Sequence, residues 1–223
     1  ASGGADAWDP NRYFNIWVGD FGPCLLGIAT FPTASQPDEQ GVVIDFSGFS
    51  NNPAYTLPQY ALGRTLVHET GHYLGLYHIW DNSGCSNSDF RQLPGSCLLP
   101  AGLAGNLNDQ SVGDTPNQDT ETTNCPSGIV TDACSSDAPG INYQNFMDYT
   151  EDACYSMFTV KQIDRMQWVL ENCRSSLLTS NACQPLSLEP NDISVFAINI
   201  PLSNFSTCEA TQPLTVTLQN LGS

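Results

Sequence analysis

Residues 67–80 constrain this chain more than any other stretch, because they hold all three of its histidines at a fixed spacing. His68 and His72 are four residues apart, which places them on one face of a helix. Gly75 can adopt a positive φ and end that helix, so the chain can turn and present His78 as a third ligand. Three histidine nitrogens with an open fourth position are typical of a catalytic zinc site and not of a closed structural one.

A carboxylate directly follows the first histidine. Glu69 would lie beside a bound metal without being forced onto it, which suits a general base for a metal-activated water. The alternative interpretation is a surface helix that carries histidines by chance. That alternative leaves the many matching positions of the pattern HExxHxxGxxH unexplained.

The same residues resemble a known family. HExxHxxGxxH is the zinc signature of the metzincin metallopeptidases, and HETGHYLGLYHIW is similar to the pappalysin branch, which includes ulilysin and cytophagalysin. Residues 145–149, NFMDY, resemble the Met-turn of these enzymes. The resemblance implies that Met147 lies beneath the zinc site and that Tyr149 helps to stabilise a substrate or an oxyanion. Taken alone, Met147 would be ordinary core.

The resemblance also implies an α+β fold with a metzincin-like catalytic domain over residues 1–178. Such a domain has a twisted mixed sheet, an active-site helix and an irregular C-terminal subdomain with a helix. Relatives have a strand, a backing helix and a second strand before the position of Ala1, and we expect these to be missing here. Residues 179–190 are predicted to be a linker, and residues 191–223 the truncated start of an immunoglobulin-like β-sandwich. We therefore expect additional C-terminal domains beyond this chain.

The predicted elements follow from local pattern. Apolar runs predict strands at residues 13–18, 27–31 and 41–46, and short strands at residues 193–196 and 214–218. The active-site helix is predicted from about Pro58 to about Leu74. Gly63 inside it would cost about 1 kcal/mol relative to alanine, which a close packing contact would explain.

A second helix is predicted over residues 159–173. Thr159 and Gln162 have the spacing of a capping box. One apolar stripe along this helix is expected to be core; its members are Val160, Ile163, Met166, Val169, Leu170 and Cys173.

Composition limits the partners and the compartment. The formal net charge is −17, with 6 basic against 23 acidic residues. This charge disfavours nucleic acid and anionic membranes and favours cations or basic peptides, and no apolar run is long enough to span a membrane. Nine cysteines indicate disulfides and an oxidising compartment.

Sequence alone leaves the disulfide pairing open. The family resemblance implies a bond between Cys125 and Cys154, and a bond from Cys134 to either Cys85 or Cys97. Cys208 is expected to pair beyond the end of this chain.

A polar stretch with closely spaced carboxylates follows the active-site region. It resembles a calcium-binding D-x-x-V-x-D-T-P segment of the pappalysins, and calcium takes six to eight oxygen ligands. The alternative is a solvated acidic loop. The candidate calcium ligands are Asp109, Val112, Asp114, Thr115 and Gln118.

Asp152 follows the Met-turn, where the family builds the pocket for the residue after the scissile bond. An acid there selects basic side chains in ulilysin-like members, since a buried carboxylate pairs with arginine or lysine. We therefore expect cleavage before arginine, and less strongly lysine. The alternative is that Asp152 or Glu151 is simply exposed.

These observations predict a secreted, extracellular zinc endopeptidase, also compatible with attachment at the cell surface, that acts on protein or peptide substrates. Its expected cofactors are Zn²⁺ and Ca²⁺. A calcium-dependent adhesion or binding protein with a non-catalytic zinc site is the alternative, although zinc binding alone does not need Glu69. A third hypothesis is an inactive fragment with an unformed cleft.

Overall fold

The computed structural model describes residues 6–22, 25–32, 39–49, 56–80, 85, 113–182, 193–199 and 215–220. The chain divides into two compact units, Ala1–Asn181 and Ala182–Ser223. The first unit contains strands β1 (Asn15–Gly19), β2 (Gly27–Ala29) and β3 (Gly41–Asp45), followed by helices α1 (Arg64–Tyr73), α2 (Val160–Asn172) and α3 (Ser175–Leu178). The second unit contains an antiparallel pair, β4 (Ile193–Asn199) and β5 (Thr215–Asn220).

The first unit is built on a small mixed sheet in the order β1-β3-β2. Strand β3 pairs in parallel with β1 and antiparallel with β2, so β2 forms one outer edge of the described sheet. Val42 and Ile44 of β3 are fully buried and pack with Tyr73 at the end of α1. The metzincin-like α+β fold expected from the sequence is therefore present, with the sheet packed directly on α1.

Helix α1 begins at Arg64, so the prediction of a start near Pro58 was wrong. Pro58–Tyr60 form a separate 3-10 turn. Gly63 is the N-cap residue with a φ of +73°, and no atom lies within 4 Å of the position its Cβ would take. The expected packing contact at this glycine is therefore wrong: Gly63 serves a left-handed backbone conformation that disfavours side chains.

Helix α2 carries the predicted capping box, since Thr159 and Gln162 each accept a hydrogen bond from the other's backbone N–H. The predicted apolar stripe is only partly buried. Val160 and Ile163 are 69% and 50% exposed, whereas Val169 is fully buried. The first half of α2 instead buries Gln162 and Arg165. Gln162 accepts a hydrogen bond from the Asn145 amide, and the Arg165 guanidinium lies over the Tyr77 ring.

Between α1 and α2 the described chain is irregular and cross-linked. Cys125 bonds to Cys154 as expected, and Cys134 bonds to Cys85, which resolves the alternative left open by the sequence. Cys173 is also disulfide-bonded. Cys97 and Cys208 lie outside the described residues. Covalent links of this kind restrict an otherwise long loop.

Within the described residues, none of the helices has the length and apolar character that crossing a membrane requires.

Candidate active site

The three histidines converge at the end of α1. The Nε2 atoms of His68 and His78 are 3.3 Å apart, and those of His72 and His78 are 3.0 Å apart. Ligand nitrogens about 2.0–2.1 Å from a tetrahedral zinc are roughly 3.3 Å from one another. The spacing of these side chains therefore fits one zinc ion, and this is the one such cluster found among the described residues.

Backbone carbonyls fix the orientation of two of the rings. Nδ1 of His68 donates to the carbonyl of Phe146, and Nδ1 of His72 donates to the carbonyl of Leu76, each at 2.7 Å. A ring that donates through Nδ1 keeps its lone pair on Nε2, where a metal would bind. The arrangement thus selects the tautomer that zinc requires.

Burial keeps all three rings neutral in the absence of metal. Desolvation lowers the pKa of His68 well below its usual value, with further lowering from the two neighbouring histidines. It also lowers the pKa of His72, and it lowers the pKa of His78 to about 3. Neutral imidazoles are the form that binds zinc, so no proton has to leave these ligands at neutral pH.

Two aromatic residues hold His78 in place. The Trp80 ring stacks on His78 at a centroid distance of 4.2 Å and an angle of 9°. Tyr149 meets the edges of both rings, at centroid distances of 4.8 Å from His78 and 4.6 Å from Trp80. Because Tyr149 is 45% exposed, it lies beside the histidines and still borders solvent.

Glu69 is buried beside the outer strand. It is 6% exposed, and desolvation raises the pKa of its carboxyl to about 8. A cation bound at the histidines would lower this pKa again, because an opposite charge favours the ionised carboxylate. The Glu69 side chain lies against Gly27 of β2, so its carboxylate is between α1 and one face of this outer strand.

Met147, the Met-turn residue, is fully buried against α1. Met147 packs with Leu76, Ile79 and Trp80. Its sulfur is so close to α1 that a Cβ on Gly71 would lie 2.5 Å from it. Met147 therefore lies against α1, and its role beneath the histidines stays a prediction.

Asp152 does not lie on the surface, so the interpretation that it is simply exposed was wrong. It is 2% exposed, and its Oδ2 accepts hydrogen bonds from the backbone N–H groups of Leu62 and Arg64 at 2.8 and 3.1 Å. A carboxylate at this position satisfies donors at the start of α1, where Gly63 provides no side chain. Oδ1 has no hydrogen-bond partner among the described residues.

The candidate calcium ligands are only partly described, because Asp109 and Val112 lie outside the described residues. Both carboxylate oxygens of Asp114 accept hydrogen bonds at the start of α2, from the Thr159 hydroxyl and the Lys161 N–H. Thr115 and Gln118 are buried. The Gln118 amide donates to Asp148 Oδ2 at 3.0 Å, while its Oε1 has no hydrogen-bond partner among the described residues.

Three features near the site have no distinctive sequence signal. Trp80 is part of the quoted motif, but only the structure shows that it stacks on His78. Gly27 could not be singled out, because its contact with Glu69 joins distant segments. The buried amide pair of Asn145 and Gln162 likewise joins the Met-turn to α2.

A helix with two metal-directed histidines, a glycine turn that delivers a third, and a buried methionine turn below them define the metzincin class. A family model described as "Pregnancy-associated plasma protein-A", of peptidase family M43, matches residues 4–171. The chain belongs to this family, the pappalysins.

Known relatives agree with this assignment. An "Extracellular metalloprotease" of Colletotrichum graminicola is 34% identical over 160 residues, covering 70% of this chain and 47% of that protein. One from Arthroderma benhamiae is 31% identical over 153 residues, covering 68% and 45%. The structure of mature mirolysin of Tannerella forsythia in complex with a cleaved peptide aligns with a TM-score of 0.65 at 37% identity, covering 78% of this chain and 59% of that chain. This chain thus spans about half the length of these curated relatives.

Proposed function

We propose that the protein is a secreted zinc-dependent endopeptidase. The main observation in support is that nitrogens of His68, His72 and His78 converge on one point, and that the buried carboxylate of Glu69 directly follows the first of them. A site that only had to bind zinc would gain nothing from burying Glu69, since desolvating a carboxylate is costly. The names of the related extracellular metalloproteases support the same assignment and an extracellular location.

The roles of the chain's own residues follow from their positions. His68, His72 and His78 would hold the zinc, which when bound supplies Lewis acidity and lowers the pKa of water. Glu69 takes the proton of the attacking water and returns it to the leaving amine. Tyr149, half-exposed beside His78, donates its hydroxyl hydrogen to the developing oxyanion.

The outer edge of β2 is the surface we propose for substrate pairing. Strand β2 uses one edge to pair with β3, and Glu69 lies against one face of the same strand at Gly27. An extended peptide that adds to such an edge gains backbone hydrogen bonds and places a peptide bond near the carboxylate. Cleavage of extended segments within proteins or peptides follows from this geometry.

The test is cleavage of a mixed peptide library by zinc-loaded protein, read by mass spectrometry. We expect cuts that a chelator abolishes and zinc restores. Glu69→Gln should keep one zinc per chain and lose about 10³-fold or more in kcat, in line with loss of general-base catalysis together with transition-state stabilisation. Full activity of this variant would disprove the mechanism, and a folded wild-type protein that binds zinc without cutting would favour the adhesion or binding hypothesis.

Asp152 is proposed to select basic residues after the scissile bond. One carboxylate oxygen is used by the start of α1, and the other is buried without a hydrogen-bond partner among the described residues, so a basic side chain that reached it would supply the missing donor. Asp152→Asn is a sharper test than alanine, because the amide oxygen can still accept from the helix N–H groups. The ratio of kcat/KM for arginine over leucine substrates should fall about tenfold or more, since a charged hydrogen-bond partner is lost. The same ratio in Glu151→Gln should stay at the wild-type value; an unchanged ratio in Asp152→Asn would remove the pocket from the proposal.

Calcium binding near residues 109–118 also remains a proposal. Gln118 Oε1, which has no hydrogen-bond partner in the part of the chain that the structure describes, is an oxygen that a cation could use. Titration of chelator-treated, zinc-reloaded protein with calcium should raise the melting temperature, and a concentration of 100 times Kd corresponds to about 2.7 kcal/mol. The absence of any calorimetric binding signal would leave the solvated-loop interpretation.

A further inference from the structure

Gly27 of β2 touches the carboxylate side chain that we propose as the general base. A Cβ placed on Gly27 would lie 2.6 Å from Glu69 Cγ, 2.8 Å from Oε1 and 2.9 Å from Cδ. Contacts this short are not tolerated between carbon or oxygen atoms that are not bonded, so one group would have to move. All three of the atoms nearest to this Cβ belong to Glu69.

The backbone does not require glycine at this position. Gly27 is absent from the residues with positive φ, and it pairs in regular antiparallel register with Ile44 of β3. A strand glycine normally weakens a sheet, because it has high conformational freedom and no side chain to pack. The close approach to Glu69 is therefore the physical reason that the structure gives for a residue without a side chain.

A methyl group at position 27 would displace the Glu69 carboxylate and not the sheet. The β2 backbone is held by its pairing with β3, whereas the Glu69 side chain can rotate about its χ angles. Because Glu69 is only 6% exposed, a rotation caused by a new methyl group moves the carboxylate within a confined space next to the histidines. A shift of about 1 Å in a catalytic group can reduce the rate about 10²-fold.

We propose that Gly27 positions Glu69: the missing side chain on the outer strand leaves the space that this carboxylate occupies, and a larger residue there would turn it away from the three-histidine site. The inference rests on the proposed role of Glu69 as general base. It assigns Gly27 as a positioning residue, because the absent side chain acts on Glu69 and takes no part in the pairing of the β2 backbone. Any side chain at position 27 should then act on the chemical step through Glu69.

The first experiment compares Gly27→Ala with the wild-type protein in the zinc-loaded state. We expect kcat to fall about 10²-fold while KM stays within about threefold, because substrate pairing with the β2 backbone is unchanged. Zinc content should remain one per chain, and the melting temperature should fall by only a few degrees, because the only group that has to move is one side chain that can rotate. These two measurements do not depend on activity, so they separate a displaced base from a lost metal or a damaged fold.

Gly19→Ala is the matched control. Gly19 is also a strand glycine of the same sheet, but its Cβ would meet the Phe21 ring, which is 38% exposed and has room to move. This variant should keep kcat within about threefold of wild type. An equal loss in both glycine variants would show that sheet damage causes the effect and would overturn the proposal.

A double-mutant cycle with Glu69→Ala tests the route of the effect. Alanine lacks Cγ, Cδ and Oε1 of Glu69, the three atoms that a Cβ at position 27 would meet, so no contact remains for a new methyl group to disturb. If Gly27 acts through Glu69, the double variant should lose no more kcat than Glu69→Ala alone, and the two losses should not multiply. Multiplying losses, a raised KM with unchanged kcat, or a Gly27→Ala kcat within threefold of wild type would each refute the inference.

Two variants together separate a failure of this inference from a failure of the proposed function. If Glu69→Gln retains full activity, the base assignment itself fails, whatever Gly27→Ala does. If Glu69→Gln is inactive but Gly27→Ala is fully active, the base assignment stands and only the positioning role is wrong.

Discussion

Replacing Asn145 by alanine should destabilise the protein strongly, although this residue is not a metal ligand. Asn145 and Gln162 are both fully buried and face each other through their amides. Nδ2 of Asn145 donates to Oε1 of Gln162 at 2.7 Å, and Nε2 of Gln162 donates back to Oδ1 of Asn145 at 3.1 Å. The same Oδ1 also accepts the backbone N–H of Met147 at 2.9 Å.

The magnitude follows from what the substitution leaves behind. Without the Asn145 amide, two buried donors lose their acceptor: Nε2 of Gln162 and the N–H of Met147. Each unsatisfied buried group costs about 1–3 kcal/mol, and the small void adds to this. We therefore expect a loss of about 3–5 kcal/mol in the free energy of unfolding, a large share of the roughly 5–15 kcal/mol typical of folded proteins.

The assay is urea denaturation of the oxidised, zinc-loaded protein, with unfolding followed by circular dichroism and tryptophan fluorescence. Gln167→Ala is the control, because Gln167 is an exposed amide on α2 whose side chain only meets Glu171. It should change the free energy of unfolding by less than about 0.5 kcal/mol. A loss below about 1 kcal/mol for Asn145→Ala would show that the amide pair is not the tie between the Met-turn and α2.

Three further outcomes follow from single residues. Gly63→Ala should cost about 1–2 kcal/mol in urea denaturation, because its φ of +73° disfavours a side chain. Arg174→Lys should cost about 2–4 kcal/mol by the same assay, because a lysine cannot replace three hydrogen bonds to Tyr73, Gln40 and Thr30. Metal-free protein should lose stability as pH falls from 6.5 to 5, since burial lowers the pKa values of His68, His72 and His78, so that these three groups take up protons mainly in the unfolded state. Glu69, with its raised pKa of about 8, opposes the trend by one proton, and unfolding curves at pH 6.5 and 5.0 check the net loss.

The parts of the site that sequence could predict are those in which function depends on local spacing. The three histidines and Gly75 lie within eleven residues, so helical periodicity and one turn place them together. The capping box of α2 is local in the same sense, and it is present as expected. The strands of the three-stranded sheet were predicted within two residues of their ends, because short apolar runs bounded by turn residues are typical of strands.

The errors came where distant segments decide the structure. The start of α1 is set by Gly63 together with the Asp152 carboxylate, which is about ninety residues away in the chain and satisfies the first N–H groups. The stripe on α2 was misassigned at Ile163, because its burial depends on what covers the helix and not on periodicity. A buried amide partner at Asn145 brought Gln162 inward instead.

A series of polar contacts leads from the start of α2 to the metal site. The exposed carboxylate of Asp114 accepts from the Thr159 hydroxyl, and Thr159 is capped reciprocally with Gln162. Gln162 pairs with Asn145, which is followed directly by Phe146, whose carbonyl orients His68. The orientation of His68 therefore depends on the Met-turn and on its contact with α2, as well as on α1.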